Sequence, residues 1–202
     1  MPMILRSAVA SPFSRKVKIA AYMLGLDKQI DVQALNSADP NDQIQKQNPL
    51  AKIPTLVLEN GKSIHDSRVI MEYLDTLAGG GKIIPKETEA RFDALTTASL
   101  ADGILDAAIL IIYETRYRPG ETPHEGWLAM QRGKIVRALD QIAAHPPSLS
   151  PITVGAIGVA CALGYLDFRK QVDWRPSHPG LIKWLEEFRA ACPPFDKTRP
   201  EG

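Results

Sequence analysis

The hydrophobic period changes within the first twenty-five residues. MILRS, residues 3–7, reads as a short strand, and Phe13, Val17, Ala20 and Leu24 then recur at helical spacing until Gly25 offers a left-handed stop. QIDVQAL, residues 29–35, alternates as a second strand. After an irregular segment, IPTLVL, then Glu59-Asn60-Gly61-Lys62, then SIH reads as a hairpin, since Asn-Gly tolerates the positive φ angles of a type I′ turn. From Asp66 onward, Ile70, Tyr73, Leu74 and Leu77 mark another helix. The order is β-α-β, an irregular stretch, then β-β-α.

AGGGKIIPK, residues 78–86, has the glycine-rich, proline-ended composition of a linker, and everything after it patterns as helix. Thr122-Pro123-His124-Glu125 reads as a capping box, with Leu128, Ile135, Leu139 and Ile142 as the buried stripe behind it and Pro146-Pro147 as the stop. ITVGAIGVACALGYL, residues 152–166, is shorter than the ~20 apolar residues of a membrane span and reads as a buried core helix. No membrane association is expected.

Composition narrows the function. Twenty-four Lys and Arg against twenty-three Asp and Glu leave a net charge of +1 with no long run of one sign, so no nucleic-acid partner is expected. Cys161 and Cys192 stand far apart, which disfavours a metal or dithiol motif and suits a reducing compartment. MPMILRSAVA has one Arg and no sustained apolar core, unlike a signal peptide, and the expected location is cytoplasmic.

Three short stretches hold the candidate chemistry. Ser11 before Pro12 is a helix N-cap, or a hydroxyl placed where a helix N-terminus stabilises an anion. Neither a G-x-S-x-G elbow nor a His/Asp pair at recognisable spacing supports an activated-serine hydrolase. In QNPLAKIPTLVL, Pro54 is an ordinary strand opener, or a cis proline that leaves the backbone of Ile53 free to pair with an extended peptide-like ligand. In IHDSRVIMEYL, Asp66 and Ser67 are caps, or donors to a carboxylate and an acceptor for an ammonium.

Together these stretches resemble the glutathione transferase family, specifically its serine-type zeta, theta and delta-like classes and their bacterial relatives, over essentially the whole chain. The resemblance implies a thioredoxin-like α/β N-terminal domain over residues 1–77, a linker over 78–86 and an all-α domain over 87–202. It implies glutathione as co-substrate. Ser11 would donate to the glutathione sulfur, Ile53 before cis Pro54 would pair with the cysteinyl backbone, Asp66 and Ser67 would hold the γ-glutamyl end, and Lys52 would stand in for the family's usual cation at the glycyl carboxylate, beside Ala51. Tyr113 and Tyr117, at i and i+4 near the end of the long first helix of the second domain, would line an electrophile pocket with Phe13. The partners so implied are glutathione, a small hydrophobic electrophile and a second copy of the chain, with Arg68 near the dimer interface.

Two positions depart from the family pattern: Ala156 stands where the second domain's capping box ends in aspartate, and Phe13 stands where the zeta class has a functional cysteine. Position 11 is also not the cysteine of the thiol-transferring classes. Conjugation of glutathione to small hydrophobic electrophiles is the expected activity. A non-catalytic ligand-binding or regulatory protein and a glutathione-dependent peroxidase or dehalogenase are the alternatives.

Overall fold

A computed structural model describes residues 2–35 and 42–200. The chain divides into two compact units, one formed by the described residues of Met1–Lys86 and Cys192–Gly202, the other by Glu87–Ala191.

The first unit contains β1 (Met3–Ser7), α1 (Pro12–Met23), β2 (Ile30–Ala34), α2 (Ile44–Gln47), β3 (Thr55–Val57), β4 (Ser63–His65) and α3 (Ser67–Leu77). The four strands form one sheet in the order β2-β1-β3-β4, with β1 and β2 parallel and the remaining pairs antiparallel. This is the expected thioredoxin-like arrangement, in which α1 makes the crossover between the parallel strands. Leu5, Val17, Ile19, Ala20, Leu56, Ile70 and Leu74 have no exposed surface, so β1, β3, α1 and α3 share one core. The register sets Arg6 beside Thr55 and Thr55 beside His65. The end of β1, the start of β3 and the end of β4 therefore lie at the same end of the sheet.

The expected irregular segment after β2 lies partly outside the described residues, and its described part includes the one-turn α2. Gly25 takes the expected positive φ, 70°. The hairpin turn differs from the type I′ expected. Gly61 alone has positive φ, and its N–H donates to the Leu58 carbonyl at 2.9 Å, giving a type I turn closed by a glycine bulge. Asn60 stays in the right-handed half of backbone space because its side chain serves the turn, accepting from Lys62 N–H at 3.0 Å.

Residues 78–86 are anchored to the first unit instead of spanning freely between two domains. The buried Asp75 carboxylate accepts the backbone N–H groups of Gly81, Lys82 and Ile83 at 2.8–2.9 Å, and Ile83 and Ile84 are buried.

The second unit is all-helical: α4 (Thr88–Arg116), α5 (Glu125–Ala144), α6 (Val154–Arg169) and α7 (Pro179–Ala191). Every residue of α6 from Val154 to Leu163 is buried, as expected of a core helix. Glycines let it approach α4 closely: a Cβ on Gly155 would stand 2.9 Å from the Ala94 carbonyl oxygen and from Thr97 Cβ. By length and composition α4 is apolar enough to cross a membrane, yet its Ala101, Ile104, Leu105 and Ala108 are buried among the helices of this unit. The expected capping box at Thr122 is displaced: His124 is the N-cap of α5, its Nδ1 accepting from Trp127 N–H at 3.0 Å. Thr153 caps α6 by position without a side-chain bond, and Ala156 offers no reciprocal acceptor.

The last described helix, α8 (Pro194–Lys197), belongs to the first unit, so the helical domain expected over 87–202 stops at Ala191. The tie is Arg15 on α1. Its guanidinium lies 3.9 Å from the centroid of the Phe195 ring, and Nη2 donates to the Phe195 carbonyl at 2.7 Å.

Candidate functional site

Three of the expected stretches meet at the sheet end defined by Arg6, Thr55 and His65. Ser11 follows β1 and is the N-cap of α1, with extended backbone (φ −78°, ψ 116°) and Oγ accepting Ser14 N–H at 3.2 Å. Accepting through oxygen leaves the hydroxyl proton available to a ligand at the helix N-terminus, where the dipole favours negative charge. The Ser14 hydroxyl, one turn on, is fully buried and has no partner among the described residues. Phe13 lies half-buried in the same turn.

Ile53 precedes a cis peptide bond to the buried Pro54 and stands just before the ladder, whose first paired residue is Thr55. A residue not singled out in the sequence holds this loop. Asn48 is buried, and its Nδ2 donates to the Lys52 carbonyl at 2.9 Å and to Thr55 Oγ1 at 3.2 Å while its Oδ1 accepts Leu50 N–H at 3.0 Å. Ala51, with φ 51°, and Lys52 lie exposed between these tethers. An Asn-Pro pair ahead of Ile-Pro was the available signal, since Asn bonds readily to nearby backbone.

Asp66 follows β4 and caps α3, whose first residue, Ser67, is buried. Asp66 adopts φ 72°, and Oδ1 accepts Arg68 N–H at 2.9 Å. The Arg68 guanidinium grips the same carboxylate through Nε at 3.0 Å and Nη2 at 2.7 Å. These bonds, together with the Arg68 and Lys16 charges, bring the Asp66 carboxyl down to about 2. Lys16 is a second residue the sequence did not flag: it is almost completely buried on α1, and Nζ lies 5.3 Å from the Phe13 ring centroid.

Tyr113 and Tyr117 belong to the helical unit. Their rings meet edge to face with centroids 4.9 Å apart, so they share the face expected from i, i+4 spacing, and both are exposed. Among the described residues no cluster of His, Cys, Asp and Glu could hold a metal ion.

Sequence comparisons place this geometry among known proteins. Residues 5–82 match the glutathione S-transferase N-terminal domain, and residues 125–187 match the glutathione S-transferase C-terminal domain. The chain is 32% identical to the uncharacterized GST-like protein YibF of Escherichia coli K12, over 98% of each chain. Its structure superposes with a TM-score of 0.92 on a glutathione transferase family member from Pseudomonas fluorescens Pf-5 with bound glutathione, at 42% identity over 99% of this chain and all of that one. A second structure from that organism, again 42% identical, holds S-(propanoic acid)-glutathione and superposes with a TM-score of 0.87 over 98% of this chain and all of that one. With both domain matches, near full-length identity and the thioredoxin-like site end in agreement, the chain belongs to the glutathione transferase family.

Proposed function

We propose that the protein conjugates reduced glutathione to small hydrophobic electrophiles, through a thiolate stabilised by the Ser11 hydroxyl. The observation that carries this reading is the Ser11 oxygen accepting Ser14 N–H at the N-terminus of α1, which leaves the hydroxyl proton free for a ligand. The peptide lies extended across the sheet end. Its cysteinyl backbone pairs with Ile53 ahead of Pro54, its α-ammonium meets Asp66, its γ-glutamyl carboxylate takes the N-terminus of α3 at Ser67, and Lys52 meets the glycyl carboxylate. Tyr113 and Tyr117 of the helical unit contact the electrophile. The glutathione-bound relative from Pseudomonas fluorescens supports the choice of co-substrate.

An ordinary thiol titrates near ~8.5, and each unit of lowering is worth about 1.4 kcal/mol of preferential anion stabilisation. One hydroxyl donor at a helix N-terminus supplies roughly 2 kcal/mol. The thiolate attacks the electrophilic carbon, the carbon–sulfur bond forms as the leaving group departs, and the thiol proton passes to solvent. Ser11→Ala is expected to lower kcat/KM for an activated aryl halide by about ten- to a hundredfold near neutral pH. Activity should recover in part as pH rises, with little change in glutathione affinity below the thiol pKa. An unshifted pH profile at undiminished rate would reduce Ser11 to a helix cap.

The protein works in the cytoplasm as a homodimer in this reading. Sedimentation at micromolar concentration should give twice the 22.2 kDa chain mass, and a monomer would refute the assembly.

A further inference from the structure

The helical unit gathers aromatic rings and guanidinium groups at the ends of α4 and α6, with no carboxylate committed to them. The two helices run side by side in the same direction, Gly155 against Ala94 and Thr97, Gly158 against Ala98 and Ala101, and α4 runs on past the end of α6 to Arg116. Tyr113, Arg116 and Tyr117 come from one helix end; Tyr165, Phe168 and Arg169 come from the other. The Arg169 guanidinium lies 4.5 Å from the Phe168 ring centroid and 5.7 Å from that of Tyr165.

One hydroxyl ties the group together. Burial is the main reason the Tyr165 phenol titrates above its ordinary range; the Arg169 guanidinium beside it opposes that, and Tyr113 and Arg116 stand close enough to act on the same oxygen. Tyr165 thus remains a neutral O–H donor at physiological pH.

Three nearby acids are already taken. Arg118 holds Glu114 at 2.8 Å and Glu121 at 2.5 Å, and Arg175 holds Asp167 at 2.7 Å. Among the described residues Arg116 and Arg169 form no ion pair. A cation at a helix C-terminus offsets the dipole, which accounts for one guanidinium per helix. Both charges act on the one phenol, and a ligand anion would neutralise them. An exposed aromatic pair beside two uncommitted guanidiniums suits a planar apolar body bearing one negative group, since arginine combines charge with ring stacking.

We propose that the ends of α4 and α6 form a carboxylate-binding platform, and that the electrophile carries an acidic group on an aromatic or unsaturated body. Tyr113 and Tyr117 take the body, while Arg116, Arg169 and the Tyr165 hydroxyl take the anion. The substrate class rests on the transferase reading above; the anion site itself is measurable without turnover.

The test pairs 3,5-dinitrobenzoate with its methyl ester in equilibrium binding, and 4-chloro-3,5-dinitrobenzoate with its methyl ester in turnover, where the carbon–sulfur bond forms as chloride leaves. The parent should bind the acid about tenfold more tightly than the ester, a preference that fades with added salt. Arg116→Gln and Arg169→Gln should each erase most of that preference, with ester binding and KM for glutathione unchanged. Equal binding of acid and ester by the parent would overturn the proposal, and so would variants that weaken both alike. A raised KM for glutathione with acid binding intact would overturn it too, by assigning the guanidiniums to the carboxylates of glutathione. Arg116 is exposed, so its variant and the parent's own preference decide the matter even where Arg169→Gln fails to fold. Selective acid binding with no conjugation of any halide would sink the transferase reading and leave the anion site standing.

Discussion

Asp66 adopts a left-handed backbone that costs a non-glycine residue about 1 kcal/mol or more, and the surrounding bonds from Arg68 hold it there. Its folded value of about 2 lies below the ordinary 3.8, so the stability it contributes is present above about pH 4 and disappears as pH falls through 2. Arg68→Ala should raise the Asp66 titration toward 3.8, read by NMR of the carboxyl carbon. Because the carboxylate is 40% exposed, solvent screening keeps the accompanying loss of stability at neutral pH within about 1 kcal/mol. An unmoved titration would mean that the backbone N–H bond alone sets the value. At this scale the sequence is most legible where one residue does local work. Ser11 before Pro12 and Asp66 before Ser67 announce caps, because capping is settled within three residues. Asn48 and Lys16 were opaque: the first acts through Lys52 and Thr55, the second is almost completely buried and acts by its charge on Asp66.

The contact between α4 and α6 depends on glycine in a way helix propensity does not reveal. Gly155→Ala gains about 1 kcal/mol of propensity but drives a Cβ to 2.9 Å from the Ala94 carbonyl, where overpacking costs typically 1–3 kcal/mol. A net loss in urea denaturation is expected. Gly103→Ala, on the same pair of helices, meets nothing within 4 Å and should stabilise by about 0.5–1 kcal/mol. The opposite order would show that backbone entropy, not close approach, governs this seam. Hydrophobic period was enough to find α5 and an unbroken apolar run to find α6, whereas α4 came only from the family resemblance. Their starts were less legible. Thr122 and His124 both offer an acceptor near the start of α5, and the competition is settled by Glu114, whose carboxylate accepts the His124 N–H at 3.0 Å from ten residues upstream. A distant partner of that kind leaves no local pattern.

Across the whole chain, the division into an α/β part and a helical part was readable from the change in period after residue 77. The destination of the last residues was not. Helical composition runs past Ala191, and only Pro193-Pro194 marks the break after which α8 joins the first unit. Docking against Arg15 is a tertiary event that no local periodicity encodes. Phe195 is 5% exposed although it lies near the chain end, so Phe195→Ala should cost about 3–5 kcal/mol in urea denaturation, as for a core phenylalanine. A loss below about 1 kcal/mol would mark the segment as a frayed terminus.

Because the partner of Arg15 lies 180 residues downstream, the first unit is begun before the helical unit is made and is joined by α8 only after it. The ribosome emits its sheet first, then the helical unit, and α8 after that. At roughly 5–20 residues per second, the hundred-odd intervening residues keep the nascent sheet waiting for about 5–20 seconds with the α8 face of α1 uncovered. A messenger cut short before Cys192 would therefore yield a chain whose helical unit is whole and whose glutathione unit lacks its final strap.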